Sequence, residues 1–268
     1  MIQSNNQSNT VPAWRDDRIN VIIGTLVHSQ GAYILPRFLA NLKNIQELYP
    51  ASRIAIATSE ESMADGLPGL LASIGLEADI IPYRILKPSY ARDRIWNIAC
   101  GREAIREYFL SLKGPEYLLF IDCDMTFDPS IINIMEREIH NYDLLFSGYP
   151  LKKYGIGLAG CGCMIARRQI LAKVRFRCYE FENHEVIFED NLLEMDAYLL
   201  GARIKKGIFV YIEHYSREND YRSINPRPVG LFKRTINNSA FRCYAIKASV
   251  FLKYNLLWNI KKRLDRNL

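Results

Sequence analysis

Two aspartates stand two residues apart at the end of the most apolar segment of the chain. Residues 117–122 read YLLFID, and the chain continues with Cys123 and Asp124. In an extended strand alternate side chains share a side, so Asp122 and Asp124 point one way and Cys123 the other. Carboxylates at the carboxyl end of a strand suit Mg²⁺ or Mn²⁺, which keeps open positions for phosphate oxygens. The alternative is a strand that simply ends at polar residues.

A second acidic pair, Glu189 and Asp190, stands where a helical pattern begins. The positive end of a helix dipole favours ionised carboxylates, so the pair offers a general base. The alternative for Asp190 is a plain N-cap.

His214 follows the apolar run 208–212 and is expected at a strand end, where a neutral imidazole would complete the metal shell. Its alternative is a satisfied structural histidine.

The surrounding pattern predicts the elements that position these groups. Short apolar runs alternate with segments of helical period, which is typical of βαβ units and a mostly parallel sheet with helices on both faces. The predicted strands are 19–25, 53–58, 79–82, 117–122, 143–148, 163–166 and 204–211. The predicted helices include 33–48, 92–112 and 190–200. We expect an α/β domain over residues 19–225, a flexible segment 1–18 before it, and a basic, helical C-terminal extension 226–268 after it.

Charge is unevenly distributed along the 268 residues. Net charge is +6, but residues 203–268 hold 15 basic and 4 acidic side chains, net +11, which leaves net −5 for residues 1–202. An anionic partner therefore suits the C-terminal region, and a nucleic-acid face on the larger part is not expected. Six scattered cysteines and a polar N-terminus without a signal-peptide pattern predict a reducing, cytoplasmic setting.

The tail over residues 239–268 mixes aromatic, aliphatic and basic side chains. The apolar stretch 241–260 has the length of a membrane span, but Arg242, Lys247 and Lys253 interrupt it, which disfavours a transmembrane helix. A helix lying at an anionic membrane surface fits this composition. Packing on the domain, or on a second subunit in a homo-oligomer, fits it equally.

The order of these features resembles a known family. A βαβ first half is followed by D-x-D after the central strand, a glycine-rich turn into GCGCMIARR, an E-D pair opening a helix, and a histidine. Over residues 19–215 the chain resembles the GT-A fold glycosyltransferases, especially family-two-like nucleotide-sugar transferases. The Q-x-x-R-W signature of processive members is missing, because only Tyr221-Arg222-Ser223 follows the histidine. A processive polysaccharide synthase is therefore disfavoured.

The resemblance implies roles for the acidic residues and the histidine. Asp122 would bind the donor ribose or the metal, Asp124 the metal, and His214 would be a further metal ligand. Asp190 would be the general base of an inverting enzyme, with Glu189 beside it. The implied reaction is a metal-dependent transfer, of hexosyltransferase type, from a nucleoside-diphosphate sugar to a hydroxyl of a saccharide, lipid-linked or protein acceptor. Retaining enzymes share the fold, so the stereochemistry stays open.

The same resemblance implies where the donor nucleotide lies. Its base would lie near the end of the first strand, at Thr25 and Leu26, and near the helix before D-x-D, at Arg94 and Asn97. Cys123 would lie beside it, between the two aspartates.

Two other classes of protein are the alternatives. A sugar nucleotidyltransferase would carry a glycine-rich phosphate loop with Lys or Arg after the first strand, whereas residues 24–29 read GTLVHS. A module that binds membranes or nucleic acid through the basic tail is the non-enzymatic alternative.

Overall fold

The chain alternates strands and helices, as seen in a computed structural model that describes residues 21–89, 91–152, 155–181 and 185–252. The predicted flexible segment 1–18, and the tail from residue 253 onwards, lie outside the described residues. The strands are β1 (Val21–Leu26), β2 (Arg53–Thr58), β3 (Asp79–Pro82), β4 (Tyr117–Ile121), β5 (Met125–Phe127), β6 (Leu144–Ser147), β7 (Tyr149–Pro150), β8 (Ile156–Gly157), β9 (Cys163–Arg167), β10 (Tyr179–Glu180), β11 (Val186–Ile187), β12 (Ile204–Gly207), β13 (Ile212–Arg217) and β14 (Asp220–Ile224). The helices are α1 (Leu35–Leu48), α2 (Glu61–Ile74), α3 (Asp93–Ser111), α4 (Ile131–Ile139), α5 (Arg168–Leu171), α6 (Glu189–Leu199), α7 (Leu231–Ile236) and α8 (Ser239–Val250).

A seven-stranded sheet forms the centre, in the order β12-β6-β9-β4-β1-β2-β3. Strand β9 runs antiparallel to β4 and β6, and the other pairings described in this sheet are parallel. All five residues of β4 are buried, as expected of a strand covered on both faces. The predicted mostly parallel sheet is confirmed.

Helices cover both faces of this sheet. Val21 and Ile23 of β1 pack into the core that contains α1, α2 and α4, while Ile22 packs into the opposite core with α3 and α6. Gly24 faces the same side as Ile22, and a Cβ there would lie 2.6 Å from Ile105 Cγ2. The glycine thus allows α3 to lie close on β1, beside the carboxyl ends of β1 and β4.

A second, antiparallel sheet in the order β14-β13-β5 stands next to the end of β4. Its register places His214 opposite Met125. The sequence predicts a strand over 204–211 and places His214 at a strand end after the apolar run 208–212. Both predictions need correction, because β12 already ends at Gly207 and His214 lies inside β13. Pairing of β13 with β5, and not a shared sheet edge, brings His214 to the D-x-D segment.

Helix α2 is absent from the sequence prediction. Gly66, Pro68 and Gly69 lower its intrinsic helix propensity, so packing of Leu67 and Leu71 has to stabilise it. It ends at Gly75, whose φ of +65° is in the left-handed region that glycine adopts readily.

The C-terminal helices are described as far as residue 252. Helix α8 packs against α6, with Cys243 buried. None of the described helices combines the length and the apolar character needed to span a bilayer. The division at residues 225 and 226 stays a prediction.

Candidate active site

A cleft of about 410 Å³ opens at the carboxyl ends of β1 and β4 and along α3. Ligands of open α/β sheets bind at such an edge. Most of the side chains predicted to bind the donor line it, together with the second aspartate: Leu26, Arg94, Asn97, Asp122, Cys123 and Asp124. The sequence thus locates the cleft, although it does not predict every contact within it.

Thr25 is the exception among the predicted donor-binding residues. It is fully buried and lies outside the cleft lining, and its Oγ1 has no hydrogen-bond partner among the described residues. Its burial inside β1 keeps its side chain out of reach of a ligand in the cleft. The prediction for Thr25 is therefore not supported.

Asn97 is held in place by two hydroxyl groups. Its Oδ1 accepts from Tyr83 Oη at 2.6 Å and from Ser59 Oγ at 2.8 Å.

Arg94, one turn earlier on α3, makes no ion pair within the part of the chain that the structure describes. A guanidinium without a carboxylate partner at a cleft is suited to a phosphate group.

Arg102 joins the two acidic clusters. This α3 arginine is only 4% exposed; its Nη2 donates to Asp122 Oδ1 at 2.6 Å and its Nη1 donates to Glu189 Oε1. Burial lowers the pKa of Arg102, but the charges of Asp122 and Glu189 outweigh it and hold the pKa well above its ordinary value. A permanently charged guanidinium therefore links the D-x-D segment to the start of α6.

Arg102 is not among the residues predicted from the sequence, yet the sequence contains a signal for it. The apolar stripe of α3 contains Ile95, Ile105 and Phe109, and Arg102 occupies the same stripe at helical spacing. A charged residue on a buried stripe requires partners of opposite charge. Here those partners are the two carboxylates that the sequence singled out for chemistry.

Glu189 and Asp190 have different surroundings although they are adjacent. Glu189 is buried, and burial raises its pKa to about 7 while the Arg102 charge opposes the rise. Asp190 is half-buried, and burial raises its pKa as well. Its Oδ1 accepts from the Asn191 backbone N at 2.7 Å, so it does not serve as the N-cap, which is Phe188. Glu189 is committed to Arg102, so Asp190 is the more available of the two carboxylates.

Asp124 faces His214 and Lys152. Lys152 Nζ lies 2.6 Å from Asp124 Oδ2, and His214 Nε2 lies 3.3 Å from the same oxygen. Nδ1 of His214 lies 2.6 Å from the Pro150 carbonyl oxygen, which can only accept, so Nδ1 carries the proton and donates. Burial raises the pKa of Asp124, but His214 and Lys152 outweigh it and lower the pKa below its ordinary value.

The three predicted metal ligands do not come together as a set. Asp124 and His214 are in contact, but Asp122 is paired with Arg102, and Lys152 already neutralises Asp124. Within the described ranges, no three His, Cys, Asp or Glu side chains are grouped so that they could hold a metal ion. Burial also raises the pKa of Cys123, which keeps its thiol neutral and unsuited to metal binding. The residues present therefore do not fit the predicted site.

Gly162 sets the position of the Asp122 carboxylate. Asp122 N donates to the Gly162 carbonyl oxygen at 3.0 Å, and a Cβ at residue 162 would lie 2.5 Å from Asp122 Oδ2. Because Arg102 holds that carboxylate, we expect Gly162→Ala to lower the free energy of unfolding by about 1–3 kcal/mol. Gly66→Ala is the control, since a Cβ there meets nothing within 4 Å and the change should leave stability equal or raise it by up to about 1 kcal/mol through better helix propensity. Urea denaturation of both variants measures the difference, and equal stability would show that the carboxylate is not held.

Neither a known family profile nor a curated protein sequence matches this chain. Among solved structures, the inositol-1-phosphate CTP transferase from T. maritima is similar, with a TM-score of 0.49 and 9% sequence identity. The match covers 84% of this chain and 96% of that structure's chain. The mannosyltransferase PcManGT from Pyrobaculum calidifontis, in complex with GDP-Man and Mn²⁺, matches with a TM-score of 0.48 and 8% identity. This match covers 70% of this chain and 54% of the PcManGT chain. S. aureus TarS 1-349 in complex with UDP-GlcNAc matches with a TM-score of 0.45 and 14% identity. This match covers 79% of this chain and 60% of the TarS chain.

The chain thus spans a little more than half of PcManGT and of the TarS fragment. With TM-scores below 0.5 and identities below 25%, the likeness assigns no activity or substrate to this chain. Function has to be inferred from the site itself.

Proposed function

We propose that this protein is a glycosyltransferase that moves a sugar from a nucleoside-diphosphate sugar to an acceptor hydroxyl, with inversion at the anomeric carbon. The observation that carries the proposal is Arg102, which joins a cleft lined by Asp122 and Asp124 to the Glu189–Asp190 pair. Arg102 thus links the cleft that would hold a diphosphate to the carboxylate that would serve as the base. The order of motifs in the sequence points to the same chemistry.

The donor would lie in the cleft. Leu26 and Asn97 line the part at the end of β1 and on α3, where a nucleobase and ribose would be held. Arg94 and Arg102 line the same cleft, and Lys152 contacts Asp124 at its edge. Arg94 would oppose the negative charge of a diphosphate and the further charge that develops on it as the sugar leaves. Arg102 and Lys152 are paired with Asp122 and Asp124, so they would contribute only by exchanging those partners for phosphate oxygens.

The acceptor would be activated by Asp190. Its carboxylate takes the proton of the acceptor hydroxyl, the oxygen forms a bond to the anomeric carbon, and the bond from that carbon to the diphosphate breaks. The bonding electrons leave with the diphosphate, which the basic side chains stabilise. A requirement for Mn²⁺ or Mg²⁺ stays a prediction from the sequence. No step here depends on it, because the residues present do not fit the predicted ligand set.

Nucleotide binding tests the proposal without knowledge of the acceptor. We expect a nucleoside diphosphate or its sugar to raise the melting temperature, since a ligand at about 100 times its Kd stabilises the folded state by about 2.7 kcal/mol. Arg94→Ala is expected to weaken binding about tenfold through loss of a charged hydrogen bond. Arg137→Ala, an exposed arginine on α4, is the matched control.

The same measurement separates the remaining possibilities. Repeating it with Mn²⁺ and with EDTA, on the native chain and on Asp124→Ala, tests the predicted metal dependence. Release of pyrophosphate from a nucleoside triphosphate and a sugar phosphate would instead identify a nucleotidyltransferase. Binding of no nucleotide under any condition would contradict the proposal, and the anomeric configuration of the product tests inversion.

A further inference from the structure

Helices α7 and α8 expose large apolar side chains to an unusual extent. Leu231 is 81% exposed, Phe232 77%, Tyr244 70% and Phe251 58%. Soluble proteins bury most side chains of this kind, and an exposed group of them marks a binding surface. We call this group, with Phe241 and Leu252, the α7–α8 surface.

The two sides of α8 have different partners. Cys243 is buried, Arg242 Nη2 donates to Asn191 Oδ1, and Arg242 Nε lies 3.0 Å from Glu194 Oε2. These contacts fix that side of α8 against α6. With a turn of about 100° per residue, Phe241 and Tyr244 fall within about 60° of each other on the other side of α8, and the exposed Phe251 and Leu252 follow its C-terminal end. The exposed apolar stripe is therefore held outward by the packing of the helix.

The charged side chains on α7 and α8 themselves are all basic. No Asp or Glu occurs in the sequence between Asp220 and Asp265. Lys233 and Arg234 follow the two exposed side chains of α7, and the exposed Lys247 lies on α8 next to the stripe. Apolar and aromatic side chains combined with Lys and Arg fit the boundary between the headgroups and acyl chains of an anionic bilayer.

A second copy of the chain fits this surface less well. A twofold interface would place the same patch of both copies together. Lys233, Arg234 and Lys247 of both copies would then be brought into one interface, with no acidic side chain on the same helices to neutralise them. Anionic lipid supplies the missing negative charge.

We propose that the α7–α8 surface docks on an anionic membrane. Helix α8 contacts Asn191 and Glu194, within the first six residues of α6, the helix that begins with Glu189 and Asp190. Docking would thus bring the start of α6 near the bilayer, where a hydroxyl on a lipid-linked acceptor is available. That assignment of the acceptor rests on the proposed function, whereas membrane docking does not.

Vesicle sedimentation with the full chain tests the inference. We expect binding to vesicles that contain about 30 mol% phosphatidylglycerol, weaker binding to pure phosphatidylcholine, and a loss of binding in high salt. Leu231→Ser with Phe232→Ser is expected to weaken binding roughly tenfold or more. Lys233→Glu with Arg234→Glu is expected to remove the preference for anionic lipid.

Matched controls keep the result specific. Leu48→Ser and Lys113→Glu change exposed residues on α1 and after α3 and should leave vesicle binding unchanged. All changed positions are exposed, so unchanged melting temperatures are expected. No binding of the native chain to anionic vesicles would overturn the inference, and so would equal binding of the α7 variants. Self-association that the Leu231 and Phe232 changes abolish, without vesicle binding, would assign the surface to a second copy. Nucleotide binding is unaffected by each of these outcomes, so the proposed function is tested separately.

Discussion

Replacement of Asp190 by Asn is expected to lower the rate of sugar transfer by about 10²–10⁴-fold, the usual contribution of a general base. The amide keeps the shape of the side chain but cannot accept the acceptor proton. Donor affinity should stay close to that of the native chain, because the cleft that would hold the nucleotide is lined by residues of β1, α3 and the D-x-D segment. A loss of kcat with an unchanged donor Kd is therefore the expected pattern.

Asp196→Asn on the same helix is the matched control. Asp196 pairs with Arg177 at the surface of the protein, so its loss should leave transfer intact. The pH profile provides a second readout. Because burial raises the pKa of Asp190, the rate should fall at a higher pH than an ordinary aspartate would give, as falling pH protonates the carboxylate. Full activity of Asp190→Asn would show that another group takes the proton.

Replacement of Arg102 by Met is expected to lower the free energy of unfolding by about 3–5 kcal/mol. The change leaves Glu189, only 5% exposed, without its cationic partner, and removes one donor from Asp122. Methionine is a flexible, unbranched side chain, so the lost charge and hydrogen bonds should dominate over any change in packing. Chemical denaturation measures the loss.

Two further variants interpret that result. Arg175→Met removes an arginine that pairs with Glu103 but whose side chain is 68% exposed, and it should cost no more than about 1 kcal/mol. Arg102→Met combined with Glu189→Gln should cost less than the sum of the two single changes, because the buried charge is removed with its partner. Additive losses would show that the two side chains do not interact.

The strand and its acidic end could be predicted because their signals are local. The run of apolar residues predicts β4, but β4 ends at Ile121 and the chain turns at residues 123 and 124. The prediction that Cys123 points away from the two aspartates is therefore wrong, since Cys123 lines the cleft together with Asp122 and Asp124. Predicted helix ends differ from the observed ones by a residue or two, whereas α2 was missed because glycine and proline weaken its pattern.

The cations of the site could not be predicted in the same way. Lys152 lies 28 residues after Asp124 in the sequence, and nothing in the spacing of residues indicates that the two side chains are in contact. Arg102 was visible as a charge on an apolar stripe, but its two partners depend on how α3, β4 and α6 pack. The pairing of these cations with the acidic groups is what separates the observed site from the predicted metal site.

The contacts of Arg102 provide a route by which nucleotide binding and protonation of the acidic pair can influence each other. One guanidinium contacts a carboxylate from the donor side and a carboxylate next to the base. If a bound nucleotide moves Asp122, the field at Glu189 and Asp190 must change, and by thermodynamic reciprocity the protonation of that pair must alter nucleotide affinity to the same degree. Binding of the nucleotide would in this way change the fraction of the Glu189–Asp190 pair that is ionised.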